Sequence, residues 1–68
     1  MTTEEAFRIT KVIMDTVGMV SYTISANAHG ENILVSVREE DSGKKLASVW
    51  FDKGVIEHVV FTPGWKED

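Results

Sequence analysis

The sequence predicts an α+β domain, an N-terminal amphipathic helix packed on one face of a four-stranded antiparallel β-meander in the order αββββ. Three observations carry this. The apolar period changes from 3.6 to 2 at Met19. Turn signals at His29-Gly30, Asp41-Ser42-Gly43 and Asp52-Lys53-Gly54 then divide the remainder into alternating runs of strand length. The chain has 68 residues, which is room for one domain spanning 1–68, and no repeat or linker interrupts it.

The helix is expected over 3–17. Thr2-Thr3-Glu4-Glu5 reads as a capping box, in which Thr2 accepts from the Glu5 N–H and the Glu5 carboxylate reaches back. Both glutamates also complement the helix dipole. At 100° per residue, Ala6, Phe7, Ile9, Thr10, Ile13, Met14 and Val17 share one face, and Glu4, Arg8, Lys11 and Asp15 lie opposite. Val12 falls at the polar margin. Gly18 stands where a glycine in the left-handed conformation ends a helix.

Strands are expected over 19–28, 32–40, 44–51 and 55–62, before Pro63-Gly64 and a short tail over 63–68. The turns propose a register. With His29-Gly30 at the tip, Ala26 lies beside Ile33, Ile24 beside Val35 and Tyr22 beside Val37. With Asp41-Ser42-Gly43 as a loop, Glu40 pairs with Lys44 and Glu39 with Lys45, followed by Val37 with Ala47, Val35 with Val49 and Ile33 with Phe51. Both hairpins then place their apolar side chains on one side, which the helix stripe must cover. Val55, Val59 and Phe61 join them. Glu57 is discordant, landing opposite Val49, and marks either a wet margin or a last register that is off by one.

The other side of the sheet, here the open face, begins polar with Ser21, Thr23, Ser25 and Asn27. It then gathers Leu34, Leu46, Trp50, Ile56 and Val60, with Ser36, Arg38, Ser48 and His58 among them. The expected register sets Leu34 beside Trp50, Trp50 beside Ile56 and Leu46 beside Val60. Large apolar patches with a polar rim mark interaction sites. The competing readings are ordinary exposed apolar surface, which proteins have in quantity, and a patch covered by Trp65 of the tail. The run Val55 to Phe61 is also an apolar edge strand without internal proline, a template for pairing.

Composition excludes several chemistries. There is no cysteine, hence no disulfide framework and no thiolate zinc site. No calcium-loop, zinc or phosphate-loop spacing is present, so no cofactor or metal is expected. Seven basic against eleven acidic residues give a net charge of −4, which opposes non-specific nucleic-acid binding. Binding of single strands through an exposed Trp50 is the alternative, with Arg38, Lys44 and Lys45 countered by Glu39, Glu40 and Asp41 of the same hairpin. No apolar run approaches the length of a membrane span. Glu4 and Glu5 stand where a signal peptide carries basic residues, so a cytoplasmic protein is expected. Ser48 beside His58 resembles part of a nucleophile–base pair, but neither an orienting group nor an oxyanion loop accompanies it. His29 reads as a turn residue.

The function these observations favour is a non-enzymatic protein-binding module. Its surface would comprise Leu34, Leu46, Trp50, Ile56 and Val60, rimmed by Arg38 and His58, and its partner would be another protein or a second copy. Small bacterial or phage regulators that occlude a larger complex, including a host defence complex, fit that description. A domain of this size without disulfide or metal commonly gains stability by self-association.

Overall fold

The computed structural model describes residues 1–66 and shows the expected architecture, with α1 over Thr3–Thr16, β1 over Tyr22–His29, β2 over Asn32–Glu39, β3 over Lys45–Asp52 and β4 over Val55–Phe61. The strands form one antiparallel sheet in the order β1-β2-β3-β4. The last two residues of the expected tail lie outside the described residues.

Both helix ends are closed by their sequence signals. The Glu5 N–H donates to Thr2 Oγ1 at 3.1 Å, and the Thr2 N–H donates to Glu5 Oε1 at 2.8 Å, completing the capping box. At the far end Val17 is the C-cap and Gly18 follows at φ 84°. The Gly18 N–H donates to the Asp15 carbonyl at 3.1 Å and the Met19 N–H to the Met14 carbonyl at 2.9 Å. This pair of bonds turns the chain back and satisfies two carbonyls that the helix leaves free. Met19 is thereby folded into the core instead of opening a strand. Ser21 takes a left-handed φ of 54°, and β1 starts only at Tyr22.

The core lies between α1 and the sheet face carrying Ile33, Val35, Val37, Ala47, Val49 and Phe51, all of them buried. Ala6, Thr10 and Met14 form the central row of the helix, with Ile9, Ile13 and Val17 half-buried beside them. Phe7 stands at the margin of the stripe and is exposed.

The first hairpin is registered two residues away from the expected position, with Ala26 opposite Val35, Ile24 opposite Val37 and Tyr22 opposite Glu39. Its two-residue loop is Gly30-Glu31, closed by His29 opposite Asn32, so the tip lies one residue later than expected. Gly30 at φ 61° supplies the positive φ that a type II′ loop needs at its first position. A slip of two residues leaves every side chain on its face, and the core is unchanged. At the β3–β4 turn, Lys53 and Gly54 both have positive φ, 52° and 81°, the signature of a type I′ loop.

The middle hairpin carries an irregularity. Val37 faces Ala47, as expected, but Arg38 faces Lys45, so Leu46 is an extra residue on β3. The loop is closed by Glu39 N–H to the Lys44 carbonyl at 2.8 Å and Gly43 N–H to the Glu39 carbonyl at 2.9 Å. The expected Glu40–Lys44 and Glu39–Lys45 ion pairs are absent among the described residues. Glu39 instead accepts from the Ser42 hydroxyl, and the Glu40 N–H donates back to the Ser21 carbonyl at 2.8 Å.

One side chain ties α1 to β1. The Tyr22 hydroxyl donates to Asp15 Oδ1 at 2.6 Å, and the Lys11 ammonium lies 3.4 Å from Asp15 Oδ2 and 5.7 Å from the Tyr22 ring centre. Arg8, Lys11 and Asp15 are exposed, as their place opposite the stripe requires, yet Asp15 is not an idle surface charge. The bond from Tyr22 holds its carboxyl below the usual aspartate value, with Lys11 adding to the effect. Loss of solvent and the Asp15 carboxylate push the Tyr22 phenol up to about 12.

Two predictions follow from this packing. Tyr22 is the single tyrosine of the chain, so phenolate absorbance reports it alone. Its titration midpoint should lie near 12, and Asp15→Ala should lower it by the part that the carboxylate contributes, leaving the part due to lost solvent. Because the folded pKa is the higher one, the stabilisation is fully present below 10 and is lost as pH rises toward 12. A wild-type midpoint of 10 would mean that the contact does not persist in solution. The second concerns Thr10, which is fully buried with no partner for its Oγ1. An unsatisfied buried hydroxyl costs about 1–3 kcal/mol. Thr10→Val, of the same shape, should raise unfolding stability in urea by roughly 1 kcal/mol.

Candidate partner-binding surface

A single helix leaves part of this sheet bare, and the bare part is β4. The helix packs on β1 and β2. Its flank bearing Lys11 and Asp15 reaches Tyr22 of β1, so the opposite flank, with Ile9, Val12 and Thr16, faces toward β4. Every residue from Val55 to Val60 is exposed, and Phe61 is half-buried. Val55 is 65% exposed, Ile56 44%, Val59 38% and Val60 55%. Val12, the residue at the polar margin of the helix, is exposed as well.

The discordant Glu57 resolves as a bulge. Val49 faces Val59 and Trp50 faces His58, but Phe51 faces Ile56, which leaves Glu57 as an extra residue on β4. Adjacent residues of a regular strand point to opposite faces, whereas a bulge can bring two together. Glu57 Oε1 accordingly lies 3.5 Å from His58 Nε2, with both side chains more than half exposed. The bulge also exchanges the faces of the residues before it. Ile56 joins Phe51 on the helix side, and Val55 joins Asp52 on the open face.

Of the residues expected in the patch, Leu34, Trp50 and Val60 are on the open face. Leu34 and Trp50 are direct cross-strand neighbours, and Val60 lies opposite Ser48. Trp50 is exposed, while Leu34 is half-buried. The expected neighbours Leu46–Val60 and Trp50–Ile56 do not form, for two distinct reasons. As the extra residue of β3, Leu46 is turned into the core, where it is 6% exposed. There it shares a hollow with Gly18, Met19, Val20 and Trp65 at the C-terminal end of the helix. Ile56 stays exposed but lies on the helix side. Trp65 does not cover the open face. It packs on Phe61, ring centres 5.3 Å apart, against the core.

At the rim, the Arg38 guanidinium donates to the Gly43 carbonyl at 3.1 Å, which ties it to the hairpin loop. His58 is exposed opposite Trp50 and pairs with Glu57. Ser48 is buried opposite Val60, and no hydrogen bond joins it to His58 among the described residues. The same residues contain no group of three His, Asp or Glu able to hold a metal ion. Nor does any helix among them have the length and apolarity to cross a membrane. What the arrangement presents is an apolar strand with a bare backbone edge, flanked by a tryptophan and by one acid–imidazole pair.

Comparison with protein-family models, with curated proteins and with solved structures finds no match to this chain.

Leu46 and Trp50, both expected in the patch, should separate in a stability measurement. Leu46→Ala removes a buried aliphatic and should cost about 2–5 kcal/mol in urea unfolding. Trp50→Ser, at an exposed site, should cost less than about 1 kcal/mol. Equal losses would contradict the bulge that sends Leu46 to the core.

Proposed function

We propose that this chain is a non-enzymatic protein-binding module whose contact surface is β4 together with Leu34, Trp50 and Val60 of the open face, rimmed by Arg38 and His58. The observation that carries the reading is the exposure of β4 along its length, on both faces and at its outer edge. Isolated exposed aliphatics are ordinary, but here Val55, Ile56, Val59 and Val60 gather on one edge strand, interrupted only by Glu57 and His58 at the bulge. Full burial of each such side chain is worth about 1.5–3 kcal/mol. Together with Trp50 this is comparable with the association cost of about 4–15 kcal/mol. Trp50 of β3 and Ile56 of β4 lie on opposite faces of the sheet, so a partner that covers both must wrap the edge.

A module of this kind acts by occluding or bridging surfaces, as small regulators and inhibitors do. A chain without cysteine suits a reducing compartment such as the cytoplasm. The exposed Trp50 also supports the second reading, stacking of a single-stranded nucleic acid, against which the net charge of −4 weighs. Salt separates the two, since phosphate binding weakens steeply as salt rises.

The deciding experiment is partner capture with the wild type, Trp50→Ala and Val59→Ser. Both substitutions should abolish capture while leaving the circular dichroism unchanged, and capture should persist at high salt. Retention of the partner by both folded variants would overturn the reading.

A further inference from the structure

We propose that β4 docks a second copy of this chain, edge to edge and antiparallel about a two-fold axis, with Glu57 of each copy opposite His58 of the other. The inference rests on the reading of β4 as a contact surface and names the occupant of its outer edge.

The register follows from faces and from where donor meets acceptor. In a two-fold pair of antiparallel strands, residues opposite each other point to the same face of the joined sheet. On β4 the bulge places Val55, His58 and Val60 on the open face and Ile56 and Val59 on the helix side, with Glu57 turned beside His58. Setting Glu57 against His58 of the second copy sets Val55 against its Val60 and Ile56 against its Val59. Each pair then matches in face, and each apolar side chain meets an apolar one. The neighbouring registers fail. Pairing Glu57 with itself puts two carboxylates together, which is unfavourable for residues directly opposite each other. Pairing His58 with itself sets Glu57 against Val59, on the other face. A strand without the bulge would have no face-matched register that joins acid to imidazole, because residues 57 and 58 would then point to opposite sides.

Hydrogen-bond complementarity across the axis is therefore built from the one acid–imidazole pair that the strand carries. The imidazole N–H donates and the carboxylate accepts, twice per dimer. Pro63 follows β4 closely and limits the length of the new ladder. The pairing consumes both β4 edges and leaves β1 as the outer strand at each end. The open-face residues Thr23, Ser25 and Asn27 of β1 are polar, so the assembly closes as a dimer instead of growing.

The chain has no cysteine, so introduced thiols report position without background. Val55→Cys/Val60→Cys should be converted by mild oxidation to a covalent dimer. Opposed antiparallel residues lie about 4.5–5.5 Å apart at Cα, within disulfide range. Within one strand the two positions are separated by about 16 Å, too far to bridge. Neither single cysteine variant should cross-link. In sedimentation the wild type should associate. Glu57→Arg should weaken the dimer by about tenfold, and addition of His58→Glu should restore it, since an arginine of one copy then faces a glutamate of the other. Both positions are exposed, and circular dichroism verifies the fold of each variant. A monomeric wild type, a cross-link from either single variant, or no rescue by the double substitution would overturn the dimer. The capture assay stands apart from these outcomes: a monomer that still loses a captured partner on Val59→Ser keeps β4 as a contact surface and removes only the second copy.

Discussion

The width of one helix against the width of four strands is the constraint on which this molecule depends. A helix with its side chains is about 10–12 Å across. Four strands at about 4.8 Å spacing place the outer strand axes about 14 Å apart, before their own side chains are added. One helix cannot cover such a face. The short connection from Gly18 to Ser21 feeds α1 directly into β1, and the Tyr22–Asp15 bond holds the helix over that side. The uncovered strand is therefore the one farthest away, β4. Its exposure follows from chain order and dimensions, and the aliphatic residues along it leave apolar area in contact with water.

Two extra residues determine how that surface is composed. Leu46 on β3 and Glu57 on β4 each interrupt a ladder, with opposite consequences. The first adds a leucine to the core near Met19 and Trp65, closing the end of the sheet beneath the helix terminus. The second sits at the bare edge, where it brings an acid beside a histidine and moves Ile56 across the strand. A bulge in the interior thus strengthens packing, while a bulge at the edge spaces the polar groups among aliphatics. Both are local changes of one residue that a uniform two-residue alternation cannot represent.

The ends of the sheet are organised differently from its edge. Met1 approaches Gly54, and Gly30, Glu31 and Lys53 complete the hollow beneath the start of the helix. At the other end Gly18, Met19, Leu46 and Trp65 line a second hollow, and Trp65 packs on Phe61. The tail therefore adds its aromatic ring to the core side and leaves Trp50 bare on the other. That division separates the two tryptophans: one extends the packing of a small core, the other stands exposed on the open face.

The sequence by itself determined the element types, their order, the helix limits and the buried face. These are local matters: a capping box at Thr2–Glu5, a left-handed glycine at Gly18, and alternation that survives a two-residue slip because the period is two. It also marked Glu57 as discordant, which is the signal a bulge leaves in an alternating strand. Only the tertiary structure decided which side of the sheet Leu46 and Ile56 occupy and that Trp65 turns away from the open face. The reason is that a bulge is settled by the partner strand and by the room available in the core, not by the residue's own neighbours in sequence. Tyr22 illustrates the same limit. Its place on the helix-side face was legible from alternation, but its bond to Asp15 required the helix to be set at the edge of β1, a position that no spacing within either segment contains.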